Sequence, residues 1–107
     1  MIRIYYGRDR RVVTVQGHAE TGEAGRDLLC AGVTALTRTL AANAARLEEL
    51  GVVSGAEIVL KPGDARIHCP AAGKYEAVTT MIYDAICIGF DLLAQKYPEH
   101  ISYQVAG

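Results

Sequence analysis

Twice along these 107 residues a pair of short strand-like segments runs into a long stretch of helical periodicity. That repeated order restricts the chain to a layered mixture of sheet and helix. Residues 2–6 alternate, and in residues 12–16 Val13 and Val15 fall on one face with Thr14 and Gln16 on the other. From Leu29 onward, Val33, Leu36, Leu40, Ala44 and Leu47 recur at steps of three or four, which predicts an amphipathic helix to about residue 50, with Gly51 at its end. The second passage has strands at 57–61 and 66–69, joined through Lys61-Pro62-Gly63-Asp64, which carries the residues of a tight turn. A second helix over 74–97 and a last strand over 101–105 follow, with Pro98 as the stop between them. The order ββαββαβ predicts one two-layer α+β domain over residues 1–107, with an antiparallel or mixed sheet and both helices on one face.

Composition narrows what such a domain can do. Eleven basic against twelve acidic residues leave a formal charge of −1, too little for a general field that holds nucleic acid. Arg8, Arg10 and Arg11 form a local basic cluster, expected to be a solvated hairpin tip. Three cysteines cannot all pair within the chain, and residues 1–6 do not resemble a signal sequence, so a reducing cytoplasm is the expected setting. Asp84 and Asp91 interrupt the apolar run over 77–94, which is therefore not expected to span a membrane. Its apolar residues nevertheless cover more of the circumference than one sheet contact buries. The second partner is either the first helix or the same helix of another subunit, with Ile82, Ile86 and Phe90 as candidate positions in a homodimer.

Chemistry concentrates between Gly17 and Ala31. His18 falls just past a strand end, and Cys30 falls at the start of the first helix. Asp27 is the expected N-cap, which would place Cys30 in the first turn, where free amides and the helix dipole favour a thiolate and could donate to an oxyanion. Asp27 could instead orient His18, and both readings stay open. Residues 19–26, with Gly22 and Gly25 and no bulky apolar anchor, are expected to form a mobile loop that closes over a bound peptide. A phosphate cradle is excluded, since no Gly-Lys-Ser/Thr is present and Glu20 and Glu23 would repel an anion. His68 and Cys69 are adjacent in a strand and so point to opposite faces, which prevents them from acting as base and nucleophile for each other. One of them could join His18 and Cys30 around zinc, but the spacing matches no zinc motif, and neither metal nor cofactor is expected. Cys87, between Ile86 and Ile88, reads as a buried and inert thiol.

The residues Gly17-His18-Ala19, a short glycine-containing loop, and then Gly25-Arg26-Asp27-Leu28-Leu29-Cys30-Ala31-Gly32-Val33-Thr34-Ala35-Leu36 resemble the signature of the ribosomal-processing cysteine proteases, the Prp family. Leu28-Leu29 stands where an Ile-Val pair is common and Thr34 where serine is usual, and neither change removes a reacting group. The resemblance implies a single cysteine protease domain with His18 and Cys30 as the catalytic dyad and Asp27 as the signature's aspartate. It also implies a homodimer whose partner is the N-terminal extension of a large-subunit ribosomal protein, cut after an aromatic pair during ribosome maturation. From the residues alone, the other reading is a non-catalytic dimeric module that binds a peptide or protein and carries an incidental or redox-sensing thiol. Rapid modification of Cys30 by a haloacetamide, relative to Cys69 and Cys87, separates the two.

Overall fold

The computed structural model describes residues 1–18, 25–70 and 73–107, with the backbone alone for 25–29. Five strands form one sheet: β1 (Ile2–Gly7), β2 (Val12–Gly17), β3 (Glu57–Lys61), β4 (Asp64–His68) and β5 (Ile101–Ala106). Its order is β3-β4-β2-β1-β5; β5 runs parallel to β1, and every other neighbouring pair is antiparallel. Helix α1 (Gly25–Glu49) connects β2 to β3, and a short 3-10 turn (Gly73–Tyr75) leads into α2 (Glu76–Lys96), which connects β4 to β5. The mixed sheet and the ββαββαβ order are those read from the sequence.

Side-chain alternation decides which face of the sheet the helices cover. Ile2, Ile4 and Tyr6 of β1, Val13 and Val15 of β2, and Ala65 and Ile67 of β4 lie in register on one face, and all are buried. Helix α1 meets them with Val33, Leu40, Ala44 and Leu47, and α2 meets them with Tyr83, Cys87 and Phe90. The helices also touch each other at small residues. A β-carbon on Gly89 would stand 2.7 Å from a methyl of Leu36, and one on Gly32 would stand 3.4 Å from Leu93, so the two backbones approach closely where these side chains cross. At the β3 edge the helical layer stops short. Ile58 and Leu60 point to the same face as Ile67 and Ala65 yet remain 38% and 44% exposed.

Two expectations need correction here. Arg11 is not solvated at a hairpin tip, and Arg8, although exposed there, is paired. Arg8 makes a two-pronged bond to Asp84, with Nε to Oδ1 at 3.0 Å and Nη2 to Oδ2 at 3.0 Å, while the Tyr6 hydroxyl donates to the same Oδ1 at 2.8 Å. Arg11 is 6% exposed and adopts φ +50°; its Nε donates to the Cys69 carbonyl at 3.2 Å, and the Cys69 amide donates back to the Arg11 carbonyl at 3.0 Å. A guanidinium so placed fixes the end of β4 against the β1–β2 turn, because each lost bond would leave a carbonyl unpaired.

The second correction concerns α2. Phe90 lies in the core, and Ile82 and Ile86 are half-buried at the core's margin. The free apolar face is the opposite one: Val78, Met81, Ala85, Ile88 and Leu92, spaced by three and four, are all exposed. By length and a mean hydropathy of 1.5, Gly73–Lys96 would also suit a membrane span. In this fold its Tyr83, Cys87 and Phe90 lie in the core instead, and its Asp84 is held by Arg8 and Tyr6.

Candidate active site

One cavity of about 400 Å³ lies between the first half of α1 and the ends of β2, β3 and β4, and both His18 and Cys30 line it. Topology accounts for the meeting. His18 directly follows β2, and β4 pairs with β2, which brings the Pro62-Gly63 turn between β3 and β4 beside that strand end. Cys30 begins the α1 stripe that continues through Val33, Thr37 and Leu40, so its side chain points toward the sheet where the sheet is not fully covered.

Backbone contacts fix His18 from two sides. The Gly17 amide donates to the Gly63 carbonyl at 2.9 Å, and the α-ammonium of Met1 donates to the His18 carbonyl at 2.9 Å. Gly17 itself has φ +96°, and the space a β-carbon would take there is filled by the Met1 carbonyl, so only glycine permits this strand end. The cavity floor is apolar, with Ile2, Val15, Val33, Leu60 and Ala65, and charged or polar groups stand around it at Thr34, Arg38, Lys61 and Asp64. The Thr37 hydroxyl donates to the Val33 carbonyl at 2.7 Å within the helix and so offers the cavity only its acceptor side.

The three thiols sit in different environments. Cys30 is half-buried at the cavity wall, whereas Cys69 and Cys87 are buried. Burial pushes the Cys69 thiol above its ordinary pKa, and it pushes Cys87 up to about 12. Neither of the buried two is a ready source of thiolate at neutral pH.

The helix start differs from the expected one. Because α1 begins at Gly25, Asp27 is its third residue rather than its N-cap, and Cys30 is its sixth, in the second turn. An amide there is in register to bond the carbonyl four residues back, and the dipole effect fades beyond the first turn. A base therefore matters more to Cys30 than the helix terminus does. Gly25 belongs to the helix and not to the loop; Gly22 and the rest of 19–24, together with the side chain of Asp27, lie outside the described residues.

His68 and Cys69 do not join the site. His68 is on the opposite sheet face with its Nδ1 3.2 Å from Glu57 Oε1, and Cys69 is enclosed near Tyr83. Among the described residues no group of three or more His, Cys, Asp or Glu side chains is placed to hold a metal ion. What sequence reasoning passed over is Gly63, Arg38 and Thr34 as cavity residues. The Pro-Gly pair reads as a turn, but nothing local says which strand end the turn will meet.

Comparison with known proteins follows the same lines. Two solved structures of the essential ribosomal processing protease Prp from S. aureus superpose on the chain. The one in complex with a substrate peptide has a TM-score of 0.66 and 18% identity, and the one with a covalently linked product peptide has a TM-score of 0.63 and 20% identity; each match covers 98% of this chain and 97% of the other. A Streptococcus mutans protein matches with a TM-score of 0.65 and 21% identity over 97% of this chain and 90% of that one. These likenesses establish the fold. No curated protein sequence matches the chain. The family model described as cysteine protease Prp matches residues 1–102, nearly the full length, and the chain belongs to that family of cysteine proteases.

Proposed function

We propose that this cysteine protease uses Cys30 as nucleophile and His18 as its base, and that it removes the N-terminal extension of a large-subunit ribosomal protein in the cytoplasm during ribosome maturation. The observation that carries the reading is the shared cavity: of three thiols, only Cys30 lines it, and it does so with His18.

In this mechanism His18 takes the proton from the Cys30 thiol, and the thiolate Sγ attacks the scissile carbonyl carbon. The tetrahedral adduct collapses with cleavage of the C–N bond, and His18 returns its proton to the departing amine, which leaves a thioester on Cys30. His18 then takes a proton from water as the water oxygen attacks the thioester; the C–S bond breaks and the peptide carboxylate leaves. The described side chains supply no third member, and Asp27 is the signature's only other candidate. Asp27→Asn is expected to retain most activity, which would leave the aspartate no charged catalytic role. The cavity's apolar floor and 400 Å³ suit one large apolar or aromatic side chain of an extended peptide, in keeping with cleavage after an aromatic pair.

The active form in this reading is a homodimer. The unpartnered Val78, Met81, Ala85, Ile88 and Leu92 stripe has the three-four spacing with which two copies of one helix pack, and the core occupies the other side of the same helix. Incubation of the protein with a synthetic peptide spanning the ribosomal extension and its junction tests the function. A single cut at the junction, absent in Cys30→Ala, is expected. An intact peptide at micromolar enzyme overturns the substrate assignment.

A further inference from the structure

Gly63 sits in the turn between β3 and β4, far from His18 and Cys30 in sequence, yet it is where the His18 ring rests. It has φ +70°, and a β-carbon built on it would stand 2.6 Å from Cε1 and 3.2 Å from Cδ2 of His18, and closer still to Nε2. The imidazole therefore lies against the bare α-carbon of the turn, in space that any other residue would fill. The same glycine accepts the Gly17 amide through its carbonyl at 2.9 Å, so one residue holds both the main chain before His18 and the ring of His18. Among the described residues no hydrogen bond reaches the imidazole itself. Packing against the turn is thus the contact that sets the ring among the described residues.

We infer that Gly63 is a positioning residue: its lack of a side chain sets the orientation in which the His18 imidazole faces the cavity and draws the proton from Cys30. The inference rests on the assignment of His18 as the base for Cys30. A base displaced by even about 1 Å loses much of its effect, because proton transfer needs heavy atoms within hydrogen-bond reach. A β-carbon at position 63 must push the ring away or tilt the turn, since the backbone that carries it is held by the sheet.

Two costs of substitution at Gly63 must be separated: strain from the left-handed φ and displacement of the ring. Gly51 provides the control, for it has φ +74° and nothing within 4 Å of a built β-carbon. Gly63→Ala and Gly51→Ala therefore share the backbone strain, and only the first meets His18. Gly63→Asn provides a second variant whose residue type tolerates positive φ but still carries a β-carbon.

The experiment measures the rate of Cys30 alkylation by iodoacetamide against pH, by peptide mapping, in the parent, His18→Ala, Gly63→Ala, Gly63→Asn and Gly51→Ala, with folding checked by circular dichroism. At about pH 6, where an unassisted thiol is almost wholly protonated, His18→Ala and both Gly63 variants are expected to slow alkylation about tenfold or more, and Gly51→Ala less than about twofold. A folded Gly63→Ala or Gly63→Asn with the parent's pH profile overturns the positioning role while His18→Ala still slows the reaction. Equal slowing in Gly63→Ala and Gly51→Ala overturns it as well, since strain alone would then account for the effect. If His18→Ala leaves the profile unchanged, the dyad assignment beneath the inference fails instead.

Discussion

The two ends of the β1–β2 hairpin carry similar polar chemistry and treat it in opposite ways. At the Gly7–Val12 end, Tyr6, Arg8 and Asp84 bond one another, and Arg11 is locked to the Cys69 carbonyl. Burial raises the Tyr6 hydroxyl pKa, and the Arg8 guanidinium holds the Asp84 carboxyl below its usual range. At the Ile2–Gly17 end, the His18 imidazole rests on a glycine and the Cys30 thiol faces a cavity. The closed end spends its polar groups on holding β1, β4 and α2 together. The open end leaves the His18 imidazole and the Cys30 thiol available, which is what the proposed base and nucleophile require.

Substitutions at the two ends should therefore separate activity from stability. Cys30→Ala and His18→Ala are expected to lower kcat/KM on the ribosomal-extension peptide by about 10³-fold or more while moving stability by less than about 1 kcal/mol. Steady-state cleavage paired with urea unfolding reads both. If either variant loses stability and activity together, the contrast between the ends is broken.

Arg11→Met should behave in the reverse manner. It leaves the Cys69 and Asp9 carbonyls without their guanidinium donor, so a loss of about 1–3 kcal/mol in urea unfolding is expected with kcat/KM of the folded enzyme unchanged. A fall in kcat/KM with stability intact would mean that the closed end shapes the site.

These two predictions also show how far the sequence was legible. Alternation in residues 2–6 and 12–16 and helical spacing after Leu29 are local signals, and they placed the elements to within a few residues. The partners of Arg8 and Arg11 come from α2 and from Cys69 just past β4, tens of residues away, so two members of a cluster that reads as solvated charge are paired, Arg8 while still exposed and Arg11 while buried. Gly63 shows the same limit at the site, since its bond to Gly17 follows from strand order and not from the turn's own residues. Phe90 was legible as apolar but not as inward, because α2 is apolar on two opposite faces and the period alone does not say which one meets the sheet.

That ambiguity leads to the third prediction. Ile88, 61% exposed on the free face, should tolerate Ile88→Glu without unfolding, and the protein should shift from dimer to monomer in sedimentation; Phe90→Glu, at a position with 0% exposure, should unfold it. A monomeric parent at micromolar concentration removes the dimer from the account.

The smallest effect expected is at Asp84. Its folded-state pKa is depressed, chiefly by the Arg8 hydrogen bond, so the stability it contributes is present above the unfolded carboxylate's pKa of about 3.9 and is lost as pH falls through the lower folded value. Asp84→Asn should therefore be less stable than the parent near neutral pH by about 0.5–1 kcal/mol, given the exposure of the pair, and the two should converge in acid. A constant difference across that range would mean that the Asp84 charge contributes nothing and that its shape and hydrogen bonds alone matter.

The central claim is that the open end performs the chemistry through Cys30. Acid quench of the enzyme during turnover of the extension peptide, followed by peptide mapping with mass spectrometry, locates the acyl group directly. The account predicts a thioester on Cys30, with none on Cys69 or Cys87, whose thiols burial holds protonated. An acyl group found on Cys69 or Cys87, or cleavage by Cys30→Ala at the parent's rate, would contradict it.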